Sequence, residues 1–294
     1  MKQLVVNADD LGMTAGVNRA IIEAHRGGIV TSASLIANGE HFADAAARLR
    51  ELPGLSAGLH VNITQGRPLA GRSSLVDRRG HFHQPGAMAL RLCIGAVSKN
   101  DLEREITAQA QRVADAGITI SHFDSHQNIH LHPLVASIIT DLARRMKVRW
   151  IRFRGQAPLL PAIDRAPLWT RMDSRARHLL ALAGFHLCMR RGNGSFQPRR
   201  FIVGAPLLRY PPRDLFAVLV RSIGAGITEW VCHPGYGDGE LRAMVPAQAV
   251  DRREAELRLL TDPECRLRLQ AAGIELVNYA QLGQAADRDE TGAP

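Results

Sequence analysis

The sequence predicts an α/β fold, a distorted or incomplete (β/α) TIM-like barrel with mainly parallel strands, and three observations carry that expectation. Short apolar runs alternate with amphipathic helical stretches along most of the chain, the order of βα units feeding a parallel sheet. The 294 residues, 46% of them hydrophobic, suit one barrel with its own core. No GxGxxG follows the first apolar run, which argues against an open dinucleotide-binding sheet.

In chain order, the first strand runs from Gln3 into Asp9 and Asp10 and turns at Gly12. Thr14 is the expected N-cap of a helix reaching Arg26, with Val17, Ala20, Ile21 and Ala24 at i, i+3, i+4 and i+7, closed by Gly27 and Gly28. A second unit follows, with a strand over 32–37 and a helix over 41–52 that Pro53-Gly54 stops. The third strand, 55–63, carries Gly58-Leu-His60. Residues 64–100 break the rhythm with Pro68, Pro85 and several glycines. Apart from a short helix near 87–97 they read as an insertion over the active face.

Asp101 then caps a helix through Ala116, and a strand over 118–124 runs into Asp124-Ser-His-Gln-Asn-Ile-His-Leu-His-Pro133. A helix over 133–146 and a strand over 148–153 come next, followed by a second insertion over 155–198 that includes a helix near 175–191. Further units are a strand at 201–203, a helix at 213–225 and a strand at 228–232 ending in His233-Pro-Gly-Tyr236. Helices over 247–260 and 263–272 precede a last strand at 274–278. Residues 1–282 therefore form a single barrel domain, and 283–294 a polar, frayed tail.

The formal charge of +9 and a pI near 10.2 raise nucleic acid, anionic lipid or acidic substrate as partners. The densest runs are Arg144, Arg145, Lys147, Arg149, Arg152 and Arg154, and Arg190, Arg191, Arg199 and Arg200. Neither has the aromatic interleaving of a nucleic-acid platform, so both read as solvated basic faces. No apolar stretch approaches the ~18 residues of a membrane span, and no basic segment followed by a long apolar run opens the chain. Cys93, Cys188, Cys232 and Cys265 show no CxxC pairing, which disfavours a zinc ribbon or a disulfide framework. The expectation is a soluble, cytoplasmic protein.

Chemistry concentrates at the strand ends. Asp9 and Asp10 are adjacent like charges, costly unless they share a proton or a cation. Capping of the following helix is the structural alternative, but Thr14 already serves it. His60, Asp124, His126 and His233 close other strands, and in a parallel barrel such ends converge. Two imidazoles and one carboxylate leave open positions on a divalent metal for water and substrate. The second carboxylate could accept the water's proton, and His233 is the best-placed acid on the other side. Asp124 or Ser125 is expected to orient His126. Spacing leaves the second imidazole open, because His126 and His130 stand four apart like a helical metal pair and His132 lies close by.

Asn7-Ala-Asp-Asp-Leu-Gly12, Val30-Thr-Ser32, Gly58-Leu-His60, Asp124-Ser-His126 and Glu229-Trp-Val-Cys-His-Pro-Gly-Tyr236, in this order and at these separations, resemble the YdjC-type carbohydrate deacetylases. That family includes chitooligosaccharide deacetylases and a hopanoid-associated branch. The resemblance implies a distorted (β/α) barrel and metal-dependent removal of acetyl groups from N-acetylated amino sugars, oligosaccharides or glycoconjugates, with release of acetate. It implies one divalent ion, Mg²⁺ or Zn²⁺, held by Asp10, His60 and His126, with Asp9 as general base and His233 as general acid. Leu11 departs from the Phe that many relatives carry there.

The residues alone leave other classes open: a metal-dependent phosphoesterase or cyclic-amide hydrolase, or a non-catalytic binder of nucleic acid or anionic membrane. The expected partner is the acetylated sugar or glycoconjugate rather than nucleic acid. No transmembrane segment is expected, and peripheral membrane contact and a homo-oligomer are left open.

Overall fold

A computed structural model describes residues 1–152, 200–203 and 212–284. In chain order the elements are β1 (Lys2–Leu11), α1 (Ala15–Arg26), β2 (Ser32–Leu35), α2 (Phe42–Arg50), β3 (Ser56–Val61), α3 (Pro85–Cys93), α4 (Lys99–Asp115) and β4 (Ile120–Ser125). A 3₁₀ segment, His126–Leu131, leads into α5 (Pro133–Arg145) and β5 (Trp150–Ile151). Then come β6 (Arg200–Val203), α6 (Pro212–Ser222), β7 (Gly226–Cys232), α7 (Gly239–Met244), α8 (Ala247–Leu260), α9 (Pro263–Ala271) and β8 (Ile274–Leu276).

The strands form one sheet in the order β5-β4-β3-β2-β1-β7-β6, with β8 added to β1. Every strand pairing in it is parallel. This is the incomplete parallel barrel that the βα alternation predicts. β1 is its axis: Lys2 to Ala8 pair with β7, Lys2 to Leu4 with β8, and Asn7 to Leu11 with β2. β8 therefore fills the wedge beside the N-terminal half of β1, below the point where β2 joins.

Most boundaries fall within a few residues of the expected ones. Thr14 caps α1, its Oγ1 accepting from Val17 N–H at 3.1 Å. Asp101 does not cap α4; Ser98 does, and the Asp101 carboxylate instead accepts from Ser74 N–H at 2.8 Å, tying the insertion to the helix. Residues 64–100 hold α3, and Thr64, Gln65, Gly66, His81, Phe82, Gln84 and Pro85 of this segment line the cavity described below. The helix anticipated at 175–191, the insertion over 155–198, Arg154, Cys188, the run from Arg190 to Arg199 and nearly all of the 283–294 tail lie outside the described residues.

Strand side chains alternate between two environments. Leu4, Val6, Ala8, Ala33, Leu35, Ala57, Leu59, Phe123 and Trp230 join the large core shared with the helices. The intervening positions face the barrel interior, where Val5, Trp150, Val277, Tyr279 and Leu282 form a small apolar plug at the N-terminal end of β1. Toward the other end the interior turns polar: Asn7, Ser32, Ser34, Ser56, His122, Asp124 and Glu229 are buried there.

Gly58 belongs to this inner file of β3, and a Cβ on it would lie 2.3 Å from the His122 ring. Gly58→Ala should therefore displace His122 and destabilise the fold by about 1–3 kcal/mol, read as a lower urea midpoint at unchanged m-value. A midpoint within error of wild type would show that the ring does not need the space.

Candidate metal centre and active site

Alternation along β1 would place Asp9 and Asp10 on opposite faces of the sheet. Two departures bring both to the site. Asp10 takes a left-handed conformation (φ 71°), and the β1–β2 register shifts between Ala8 and Leu11. A non-glycine residue there costs on the order of 1 kcal/mol, a strain that surrounding contacts must hold.

Asp10 is buried and faces two imidazoles. Its Oδ1 lies 2.8 Å from His126 Nδ1 and 3.4 Å from His60 Nε2. The ligating atoms of Asp10, His60 and His126 all lie within 4.8 Å of one another, close enough to hold a metal ion. The ligating atoms of Asp9, His60 and Asp124 also lie within 4.8 Å of one another. Asp9 and Asp124, however, are already committed to Arg152, whose Nη1 and Nη2 donate to the two Asp9 oxygens at 2.8 Å and whose Nη2 lies 2.7 Å from Asp124 Oδ2. The Asp10 group is thus the better candidate for an ion.

The supporting shell differs from the expected one. Asp124 orients His60, not His126, through a 2.7 Å contact between its Oδ1 and His60 Nδ1. This leaves His60 Nε2 toward Asp10, the carboxylate–histidine arrangement common behind metal ligands. Ser125 does not orient His126 either; its Oγ accepts the His130 N–H and meets His130 Nδ1. His126 and His130 are no helical pair, because Gln127 and Asn128 between them have φ values of 58° and 55°. His130 belongs to neither metal-sized group among the described residues.

Arg152 is the largest departure from expectation. Read as part of a solvated basic run, it is instead 2% exposed inside the barrel. Its Nε donates to Glu229 Oε1 at 2.9 Å while the guanidinium clamps Asp9 and Asp124. Asn7 adds a donor to Asp9 at 2.9 Å, and Ser34 donates to Asp124 at 2.6 Å.

The electrostatics follow from burial and these partners. Burial raises the Asp10 carboxyl, but Arg253 and then His126 outweigh it and hold it well below the usual range. His60 is lowered by burial, yet the Asp124 and Asp9 carboxylates carry it up to about 10. A metal ion would displace that proton, so the donor set fits a cation that neutralises a carboxylate-rich pocket. Glu229 is pushed up to about 7 by burial, against the opposing pull of Arg152.

His233 follows the C-terminal end of β7, with its Nε2 3.8 Å from Asp9 Oδ2 and its side chain 29% exposed. Its backbone N–H donates to buried Glu256. The five residues singled out from the sequence thus share one cavity of about 440 Å³, walled on one side by Thr64, Gln65, His81, Phe82 and Gln84 of the insertion. Asn7, Ser34, Arg152, Glu229, Arg253 and Glu256 were missed. The legible signal for Ser34 and Asn7 was a polar residue at every second position of otherwise apolar buried strands.

His122 offers a test of this polar interior. It is fully buried, stacked on Tyr279 with centroids 4.1 Å apart and placed between the Ser34 and Ser121 hydroxyls, and burial lowers it to about 4. Between pH 6.5 and 4 the unfolded chain takes up a proton that folded His122 refuses. Its contribution to stability is therefore full above pH 6.5 and falls with acidification. Urea titrations across that window should show the stability gap between wild type and His122→Asn narrowing toward pH 4. A constant gap would place the ring in contact with solvent.

Comparison with known proteins places the chain among close relatives. Residues 3–271 match the family model described as YdjC-like protein. A carbohydrate deacetylase of Geobacillus stearothermophilus is 33% identical over 280 residues, covering 95% of this chain and 97% of the relative. One from Listeria monocytogenes serotype 4a (strain HCC23) is 40% identical over 282 residues, covering 95% and 100%. A crystal structure from Enterococcus faecalis V583, of a protein given as a candidate cellobiose-phosphate cleavage protein, matches with a TM-score of 0.73 at 24% identity, over 96% of this chain and 98% of that one. At that identity the likeness is one of fold.

Proposed function

The chain belongs to the YdjC-like protein family, and from that premise we propose that it is a metal-dependent carbohydrate N-deacetylase. It hydrolyses the N-acetyl amide of an amino sugar, oligosaccharide or glycoconjugate to acetate and a free amine. The observation that carries this reading is the convergence of Asp10, His60 and His126 with Asp9 and His233 in one sugar-sized cavity. The relatives' description as carbohydrate deacetylases supports the substrate class.

Asp10, His60 and His126 would hold one divalent ion, Mg²⁺ or Zn²⁺. When bound, such an ion supplies Lewis acidity to the acetyl carbonyl and lowers the pKa of water. Asp9 takes a proton from the attacking water; Arg152 and Asn7 fix its carboxylate for that transfer. The water oxygen bonds to the acetyl carbon, and the tetrahedral adduct then collapses. As the C–N bond breaks, its electron pair goes to nitrogen, which takes a proton from His233. The His233 backbone is held by Glu256, while its partly exposed ring faces the cavity where the departing amine must lie. The free thiols of Cys93, Cys232 and Cys265 suit a reducing compartment, and we assign the protein to the cytoplasm.

The two adjacent acids should separate cleanly in experiment. Asp9→Asn is expected to lower kcat for acetate release from N-acetylated chito-oligosaccharides by about 10²–10⁴-fold while sparing ion affinity. Asp10→Asn should weaken ion binding itself. Turnover that survives Asp9→Asn intact would sink the mechanism.

Asp124→Asn tests the support behind His60. Ion affinity, measured by calorimetry, should fall about 10–100-fold. One ion per chain is expected, whereas two or three would favour a phosphoesterase cluster.

A further inference from the structure

Among the described residues, one permanently cationic side chain lines the cavity: Arg253. It stands on α8 and is 8% exposed. Its Nη2 donates to Asp10 Oδ2, on the carboxylate's far side from the imidazoles. Its Nη1 is buried and, among the described residues, has no hydrogen-bond partner. The loop after β7 is fitted around this side chain. A Cβ on Gly235 would lie 3.2 Å from Arg253 Cδ and 3.4 Å from its Cβ, so the glycine leaves room for the arginine stem. Three residues on, Glu256 takes the His233 N–H. One helix thus serves both Asp10 and His233.

A buried guanidinium N–H without an acceptor is unfavourable, and on a side chain that lines the cavity it points to an oxygen that arrives with a ligand and that the guanidinium turns to meet. Hydrolysis of an amide is accelerated by a donor of this kind, beside any Lewis acid, because negative charge develops on the acetyl oxygen as the tetrahedral adduct forms. We propose that Arg253 is a catalytic residue of this site, with Nη2 kept on Asp10 and Nη1 donating to the acetyl oxygen. The proposal rests on the deacetylation reading. As the water oxygen bonds to the acetyl carbon and Asp9 takes its proton, the carbonyl π pair moves onto the oxygen that Arg253 holds. The pair returns as the C–N bond breaks and nitrogen takes the His233 proton. Acetic acid results and ionises, leaving an acetate oxygen on the same N–H.

The test compares wild type, Arg253→Gln and Arg253→Lys, each equilibrated with Zn²⁺. Three quantities are measured: the Zn²⁺ dissociation constant, the acetate dissociation constant by calorimetric titration, and kcat for acetate release from N-acetylated chito-oligosaccharides. Arg253→Gln should lower kcat by about 10²–10³-fold. It should also weaken acetate at least tenfold at saturating Zn²⁺, with Arg253→Lys recovering part of both. Values within threefold of wild type for Arg253→Gln would overturn the proposal. So would losses that saturating Zn²⁺ fully restores, since Arg253 would then only position Asp10. A wild type that releases no acetate would strike the deacetylation reading instead. The acetate titration, which needs no turnover, would still decide whether Arg253 holds an acyl oxygen.

Discussion

A single buried guanidinium holds the interior of this barrel together. Arg152 meets Asp9, Asp124 and Glu229, carboxylates contributed by β1, β4 and β7. Carboxylates crowded inside a protein repel one another when ionised and lose their hydration, so their proximity depends on this counter-charge. Its location also matters. Arg152 immediately follows β5, so the guanidinium reaches across the sheet and fixes the polar ends of distant strands relative to one another. Removing such a cation would leave uncompensated buried charge, a change that typically costs about 3–5 kcal/mol.

From that anchor the rest of the site acquires its order. Asp124, held by Arg152 and Ser34, holds His60; His60 faces Asp10; Asp10 faces His126 and Arg253. Asp9, Asp10, His60 and His126 thus each have their orientation set by a buried partner, which is what a precisely held catalytic group requires. Loop side chains complete the cavity but lie outside this chain of contacts. The division is physical: strand ends supply rigid positions, while the 64–100 insertion supplies a wall of loop side chains.

Asp10 shows how local strain and tertiary support meet. Its left-handed backbone breaks the two-residue alternation of β1 and lets neighbouring carboxylates serve one site. The conformation is unfavourable for aspartate alone. Contacts from His60, His126 and Arg253 over-determine it, so strain and function coincide at the same residue.

Much of this was legible in the sequence. Periodicity and glycine or proline punctuation marked the βα units, because those signals are local and set by backbone geometry. The acids and imidazoles Asp9, Asp10, His60 and His233 stood out because polar residues at the ends of apolar runs are costly without a purpose, and the parallel topology implied their convergence; His126 was set apart from His130 and His132 only by the family resemblance. Tertiary structure alone decided the partners. Arg152 looked like one member of a basic run, since a sequence does not show which of several arginines turns inward. Asp124 proved to orient His60 because β3 and β4 pair His60 with Asp124 in register, a relation between strands 64 residues apart. Arg253 and Glu256 carried no motif, because a helix residue's reach into a cavity depends on how that helix packs. Residue identity and local pattern thus determined the elements and the reactive groups; long-range register and packing determined which charge meets which, and so what each group can do.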